Sequence, residues 1–479
     1  MADLDAIFKA YDVRGVVPDQ LDAALCGQIG AAFARFVLDH GDGRLRANRT
    51  ASPGPERPGA EGAKSGKHGA KPRRVLVARD MRSSGVELAS AFAEGVQRQG
   101  LDVADLGLAS TDLMYFAAGS LDAPGAMFTA SHNPAQYNGI KLCLAGARPI
   151  GQDTGLDEIR RLAASGIGPA PTEAGRIEPL DLLADFARHV RSFVDVGALR
   201  PLKIVADTAN GMGGLVVPKV FEGLPFELDM LYAELDGTFP NHPADPIQLE
   251  NLRDLRARVR ATGADVGLAF DGDADRVFLV DDRGEPLSGS TTTSIVATGI
   301  LEREPGATIL HNLICSKAVP EIVREQGGTP VRTRVGHSFI KEVMAETGAA
   351  FGGEHSAHYY FRDNYRADSG SIAALVVLER ICKAGVPLSE LRKPFDRYAA
   401  SGEINTTVDD PAAVIDRVAA AYAGASQDRL DGLTVDAGDW WFNLRPSNTE
   451  PLLRLNLEAP TRAVVDAHVA EVRALITKG

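Results

Sequence analysis

The chain has 479 residues, 44% hydrophobic and 24% charged, an ordinary globular composition long enough for three or four domains. Its net charge of -13 argues against general nucleic-acid binding, which needs a basic surface, but leaves room for local clusters that hold anionic small molecules. No window nears about 18 uninterrupted apolar residues, and the first residues, MADLDAIFKAYDVRG, lack the basic segment and apolar run of a signal peptide. The expectation is a cytoplasmic protein with no membrane association, present as a monomer or weak dimer.

In chain order, the pattern predicts a helix over about 21–39 and a strand over 75–79. Between them, residues 44–74 carry nine Lys/Arg against two Glu and contain no Ile, Val, Phe, Tyr or Trp. Such a stretch buries too little apolar surface to offset its ordering entropy. It reads as a solvated loop, with an arm for an acidic partner as the alternative. Cys26, Cys143, Cys315 and Cys382 are far apart and form no CxxC pair, which reads as reduced, buried thiols.

From residue 74 onward strands and helices alternate, the sign of parallel α/β units. Three pieces recur. RVLVARDMRSSGVELASAFAEGV gives strand, turn and helix, GLDVADLGLAST a second strand, and GAMFTASHNP a strand entering a polar loop. The same order returns as LKIVADTANGMGGLVVPKVF, PFELDMLYAELDG and ADVGLAFDGDADR. It returns once more as ATILHNLICSKAVPEIVREQ, TPVRTRVGHS and GAAFGGEHSAH. The reading is three similar mixed α/β domains, each ending a strand in a distinctive loop: Thr129–Pro134, Asp271–Arg276 and Gly353–His358. Ligands of open α/β sheets bind beyond the carboxyl ends of strands, so the three loops are expected around one central cleft. The last ~80 residues read as a smaller α+β domain with an antiparallel sheet, adding the polar loop RPSNTEP. The expected boundaries are 1–177, 178–285, 286–398 and 399–479.

Asp271, Asp273 and Asp275 alternate along the second loop, where looped backbone can turn three carboxylates toward one point. Oxygen ligands alone suit Mg²⁺ or Ca²⁺. A calcium EF-hand does not fit, because Arg276 stands where that loop needs Gly and Asp282 where it needs a bidentate Glu. In the first loop, Ser131 and His132 are adjacent, so extended backbone would send their side chains to opposite faces. There is no GxSxG elbow, which argues against a Ser hydrolase. A serine without such a base can still carry a phosphoryl group beside a metal.

TASHNP with NGIK, DGDADR, GEHSAH and RPSNTEP, in that order, resemble the α-D-phosphohexomutase superfamily, in its phosphomannomutase/phosphoglucomutase branch. The motifs span nearly the whole chain. The resemblance implies three like domains and a smaller fourth around a cleft, and conversion of hexose 1-phosphates to 6-phosphates through a hexose 1,6-bisphosphate. It implies that Ser131 carries the phosphoryl group and, with Asp271, Asp273 and Asp275, ligates one Mg²⁺. Glu354, Ser356 and His358 match the sugar-reading loop. Arg445, Ser447, Asn448 and Thr449 match the phosphate-binding loop. Lys141, Arg276 and His337 match catalytic positions, and Tyr11 and Arg14 further substrate contacts.

Two departures stand out. Ala357 occupies a place where the family more often has Gly, which would shift the loop if positive φ is needed there. The 44–74 segment is also longer than the usual connection. Phosphoglucosamine mutase is the rival within the family, but it usually has Gly where Asn448 stands. A non-catalytic sugar-phosphate sensor would be expected to lose Ser131 or an aspartate, and all are present.

Overall fold

The computed structural model describes residues 3–40, 74–168, 170, 173–446 and 452–477. Of the basic 44–74 segment only Arg74 is described, and it opens a strand; the rest lies outside the described residues. The chain divides into two compact units. One runs up to Pro286 and includes Tyr360–Glu379; the other comprises Leu287–Tyr359 and the chain from Arg380 onward.

The first unit holds two sheets. In the first, strands β1 (Val13–Val16), β2 (Arg74–Arg79), β3 (Asp102–Leu108), β4 (Gly125–Phe128), β5 (Tyr137–Leu144), β6 (Arg148–Pro149) and β7 (Ile177–Pro179) run in the order β1-β5-β4-β2-β3-β7, with β6 on β5. The second has β8 (Leu202–Asp207), β9 (Phe226–Leu231), β10 (Val266–Phe270) and β11 (Val277–Asp281) in the order β11-β10-β8-β9. In each, a central strand (β2 or β8) pairs in parallel with the next strand on one side and the loop-bearing strand on the other. The loop-bearing strand then pairs antiparallel with its successor, β5 or β11. Every residue of β4, β10 and β11 is buried, as suits continuous apolar runs covered on both faces.

The helices Ala23–His40 and Ser84–Gln97 lie in backbone contact because the sequence supplies glycine at their crossing. A Cβ on Gly30 would sit 2.2 Å from the Phe92 carbonyl oxygen, and one on Gly95 2.1 Å from that of Gly27. Beneath them Phe92 meets Phe128 edge-on at 5.4 Å. That contact fixes the end of β4, from which the serine loop departs.

The second unit repeats the plan. β12 (Thr308–Asn312) lies between β13 (Thr329–Thr333) and β14 (Phe351–Gly353), both parallel to it, and β15 (Tyr359–Phe361) carries the chain across the division. The threefold recurrence read from sequence is therefore present in the topology. Next come β16 (Ala399–Thr407), β17 (Ser426–Asp428), β18 (Leu433–Asp436), β19 (Trp441–Pro446) and β20 (Leu452–Ala459). They form an antiparallel sheet in the order β16-β20-β19-β18-β17. Val414, Ile415 and Val418 of the helix Pro411–Ala421 and Val465, Val472 and Ile476 of Arg462–Thr477 pack on its apolar face with Phe442, Leu444, Leu453 and Leu455. The sequence reading placed no strand at Ala399–Thr407. This edge strand, AASGEINTT, has no apolar alternation to reveal it, and none of its residues is fully buried.

Candidate active site

Ser131 stands three residues beyond β4, in backbone with φ +49°, and is 7% exposed. Its amide donates to Thr129 Oγ1 at 2.9 Å, closing a tight turn. Left-handed backbone is uncommon for a residue with a side chain and marks a conformation imposed by its surroundings. The metal-type loop faces it directly: a Cβ on Gly272 would lie 2.4 Å from the Ser131 carbonyl oxygen. Only glycine lets the two loops come this close. Gly272→Ala should therefore push them apart and lower kcat by about a hundredfold, the loss expected for a displacement near 1 Å at a reacting group. Unchanged steady-state kinetics would show that the approach is unimportant.

Across that contact, Ser131 Oγ donates to Asp271 Oδ2 at 2.8 Å. Arg276 grips the same carboxylate, with Nε 2.9 Å from Oδ2 and the backbone amide 3.2 Å from Oδ1. Lys141, on β5, donates to Asp273 Oδ2 at 2.8 Å and to Asp275 Oδ2 at 2.9 Å. Thr111 adds a hydroxyl at 2.5 Å from Asp273 Oδ2 and its own amide at 3.0 Å from the Asp273 carbonyl. The three aspartates are buried, and one carboxylate oxygen from each lies within 4.8 Å of the others. Ala274, between two of them, also has positive φ, +60°.

Burial and the neighbouring Asp273 and Asp275 push Asp271 well above the usual carboxylate range, despite Arg276. Burial and Asp273 raise Asp275 as well. Burial works to raise Asp273, but the Lys141 ammonium, with Thr111 and Arg276, more than offsets it and holds the group below its ordinary value. Lys141 in turn stays well above its ordinary value: burial works against its charge, but Asp273 and Asp275 more than compensate. Two cations thus face three carboxylates. Asp273 Oδ1 is buried and accepts no hydrogen bond from the described residues. An orphaned buried carboxylate oxygen in an all-oxygen cluster is what a hard divalent cation would satisfy.

One expectation fails. Ser131 and His132 do not point apart: Nδ1 of His132 lies 3.2 Å from Ser131 Oγ. The extended backbone assumed for the pair is absent, because the positive φ of Ser131 folds its neighbour back. The contact still does not make a hydrolase dyad. Arg276 Nη2 is 2.7 Å from the same nitrogen, and burial together with Arg276 brings the imidazole down to about 3. Such a ring accepts hydrogen bonds and has little appetite for a proton at neutral pH. Arg14, on β1, reaches the loop too, donating to Asn133 Oδ1 at 2.6 Å. Tyr11 is half-buried in the bend before β1, near Gly151.

The second unit gathers the other predicted residues in two places. Glu354, at the end of β14, is buried; its Oε1 accepts from Asn312 Nδ2 and from the Gly336 amide, each at 3.2 Å. Its Oε2 is 3.6 Å from His358 Nδ1, which is also 3.0 Å from Ser356 Oγ. His337 begins the helix His337–Thr347 and meets His358 edge-on at 4.2 Å. Ala357 has φ +65°. The loop is closed by Ala357 N–H on the Glu354 carbonyl and Glu354 N–H on the His358 carbonyl, both at 3.0 Å. The alanine carries left-handed strain of about 1–2 kcal/mol.

Arg445, opposite Arg454 in the β19–β20 ladder, is mostly buried. Glu403 ties the two together, 2.8 Å from Arg445 Nη2 and 3.5 Å from Arg454 Nη1. Ser447, Asn448 and Thr449 lie outside the described residues.

Sequence profiles described as phosphoglucomutase/phosphomannomutase alpha/beta/alpha domains I, II and III match residues 59–167, 184–284 and 288–398, and that of the C-terminal domain matches 403–475. A phosphomannomutase of Salmonella montevideo is 39% identical over 463 residues, 94% of each chain. A phosphohexose mutase of Xanthomonas campestris pv. campestris is 40% identical over 97% of each. This chain belongs to the phosphoglucomutase/phosphomannomutase family. Among solved structures, a family protein from Burkholderia thailandensis superposes with a TM-score of 0.84 at 32% identity, over 99% of this chain and 98% of the other.

Motif reading set His132 aside as facing away from Ser131, and it missed three members of the site: Thr111, Asp80 and Arg82. Their available signal was position, since RDMRSSG and ASTDL each follow the carboxyl end of a parallel strand, β2 or β3. All four cysteines are buried and none is in a disulfide, as expected. Among the described residues no helix is long and apolar enough to cross a membrane.

Proposed function

We propose that this phosphohexomutase-family chain interconverts the 1- and 6-phosphates of mannose and glucose, by way of phospho-Ser131 and a hexose 1,6-bisphosphate. The observation that carries the reading is the buried Ser131 hydroxyl, aimed at a three-carboxylate cluster with Lys141 and Arg276 at its edge. Phospho-Ser131 gives its group to the free hydroxyl of the bound monophosphate; the P–O bond to Oγ breaks as the bond to the sugar oxygen forms. After the bisphosphate turns over, Ser131 Oγ takes back the other phosphoryl group.

Mg²⁺ held by Asp271, Asp273, Asp275 and an oxygen of phospho-Ser131 would neutralise charge on the transferring group. Arg276 balances charge at the serine. Lys141, held as an ammonium by its two aspartates, adds positive charge beside the cluster, and Lys141 and His337 are the candidate groups for moving the proton of the attacking sugar hydroxyl. Glu354, Ser356 and His358 read sugar hydroxyls. Arg445, with Ser447, Asn448 and Thr449, holds whichever phosphate is not reacting, while Tyr11 and Arg14 contribute further substrate contacts. The four domains are taken as 1–177, 178–285, 286–398 and 399–479. The enzyme is read as cytoplasmic, and as a monomer or weak dimer.

Asn448 favours mannose and glucose over glucosamine. A coupled assay of mannose, glucose and glucosamine 1-phosphates tests this directly; turnover of glucosamine 1-phosphate above the other two would overturn it. Arg445→Ala should lower kcat/KM about ten- to a hundredfold in both directions, the value of a charge-assisted contact to phosphate. Lys there should restore only part, since a point charge does not reproduce a planar fork. Impairment in one direction alone would rule out a shared phosphate loop.

A further inference from the structure

Arg82 carries a guanidinium, yet it is only 1% exposed. It follows β2 by three residues. Its Nε donates to Asp80 Oδ2 at 3.2 Å, and its own amide to Asp80 Oδ1 at 3.0 Å. Nη1 donates to the carbonyls of Pro134 at 2.8 Å and Tyr137 at 3.0 Å. Nη2 donates to those of Ser131 at 2.9 Å and Asn133 at 2.7 Å. A guanidinium has five N–H donors, and here each has an acceptor. Four of those acceptors are main-chain carbonyls of the 131–137 segment.

The side chain is also fixed from behind. The Phe239 ring lies 5.1 Å from its guanidinium carbon, and a Cβ on Gly237 would sit 2.6 Å from Arg82 Cα. Asp80, itself buried, supplies the counter-charge and is tied by its amide to the Phe128 carbonyl at the end of β4. The serine loop has left its sheet, and Ser131 is in backbone that residues with side chains avoid. Such a turn persists only where the surroundings over-determine it, and the four carbonyl bonds to Arg82 do so.

We propose that Arg82 is a positioning residue that holds the phosphoserine loop in its transfer-competent, left-handed conformation, with Asp80 as its anchor. The proposal rests on the reading of Ser131 as phosphoryl carrier. Lysine cannot substitute, because three donors on a point charge do not span four carbonyls and a carboxylate.

The test uses the full chain carrying Arg82→Lys and Arg82→Ala, with folding checked by circular dichroism. In Arg82→Lys, kcat should fall about a hundredfold while KM for the hexose phosphate stays within about threefold, since the substrate binds through other groups. Single-turnover phosphorylation of Ser131 by hexose 1,6-bisphosphate, followed by intact mass, should slow by the same factor. Millimolar guanidinium should recover part of the activity of Arg82→Ala, and hydrogen exchange of the 131–137 amides should quicken in both variants. A folded Arg82→Lys enzyme with kcat within threefold of wild type, or with kcat unchanged and KM raised, would overturn the proposal.

Should neither Arg82 variant fold, Asp80→Asn decides, because it keeps the guanidinium and an acceptor but removes the counter-charge. Its kcat should drop about tenfold at constant KM, and an unchanged kcat would overturn the proposal. A wild type without mutase activity would sink the catalytic reading instead. Exchange at 131–137 would then still report whether Arg82 holds the loop, and unaltered exchange in the Arg82 variants would count against it.

Discussion

Ser131→Ala is expected to lower mutase turnover by roughly a thousandfold or more, the scale of losing the nucleophile of a covalent enzyme. In the proposed mechanism the Ser131 oxygen is the atom on which the phosphoryl group rests between half-reactions, and nothing beside it can take over. His132 Nδ1 is occupied by Arg276 and reluctant to be protonated, and a carboxylate of the aspartate cluster would be a poor store for a phosphoryl group. Wild-type protein should show a mass increment of about 80 Da, absent from the variant. The fold should survive. Asp271 Oδ2 keeps its bond to Arg276 Nε, so removal of the serine leaves no orphaned carboxylate oxygen there, and the stability loss should stay near 1 kcal/mol. Full activity in Ser131→Ala would end the phosphoserine mechanism.

The sheets were legible because their evidence is periodic. β2, β8 and β12 each announce a strand–turn–helix unit, and the repetition of three pieces reproduces the parallel triplets seen in both units. The aspartate loop was legible because alternate carboxylates in a loop have few other uses. The relation of Ser131 to His132 was not, since it depends on a backbone sign change at one residue that no local composition signals. Arg82 was invisible for a related reason. An arginine after a strand is ordinarily a surface charge, and its role appears only when the carbonyls of residues 131–137, about fifty positions later, are seen to converge on it. The edge strand Ala399–Thr407 escaped because its sheet position needs no apolar alternation. The Glu403 carboxylate it carries, tethering Arg445, escaped with it.

Asp273→Asn should reduce turnover by about two to three orders of magnitude while KM changes only a few-fold, because the charge at Asp273 matters most when charge moves in the transition state. The substitution keeps the size of the side chain and can keep the bond from Thr111 Oγ1. It removes one of the two charges that Lys141 pairs with, and it brings an amide N–H to one of the two places now held by carboxylate oxygens. If that N–H takes the place of Oδ1, it points a donor at the position a cation would occupy. If it turns the other way, it meets the Lys141 ammonium. Either orientation weakens a Mg²⁺ site. A second readout does not depend on activity. A ligand that binds only the folded state at a hundred times its dissociation constant stabilises by about 2.7 kcal/mol, so Mg²⁺ should raise the thermal midpoint of the wild type. In Asp273→Asn the same Mg²⁺ concentration should raise it far less. Full wild-type activity after EDTA treatment would remove the metal from the mechanism. An equal Mg²⁺ shift in both proteins would instead move the metal away from the aspartate loop.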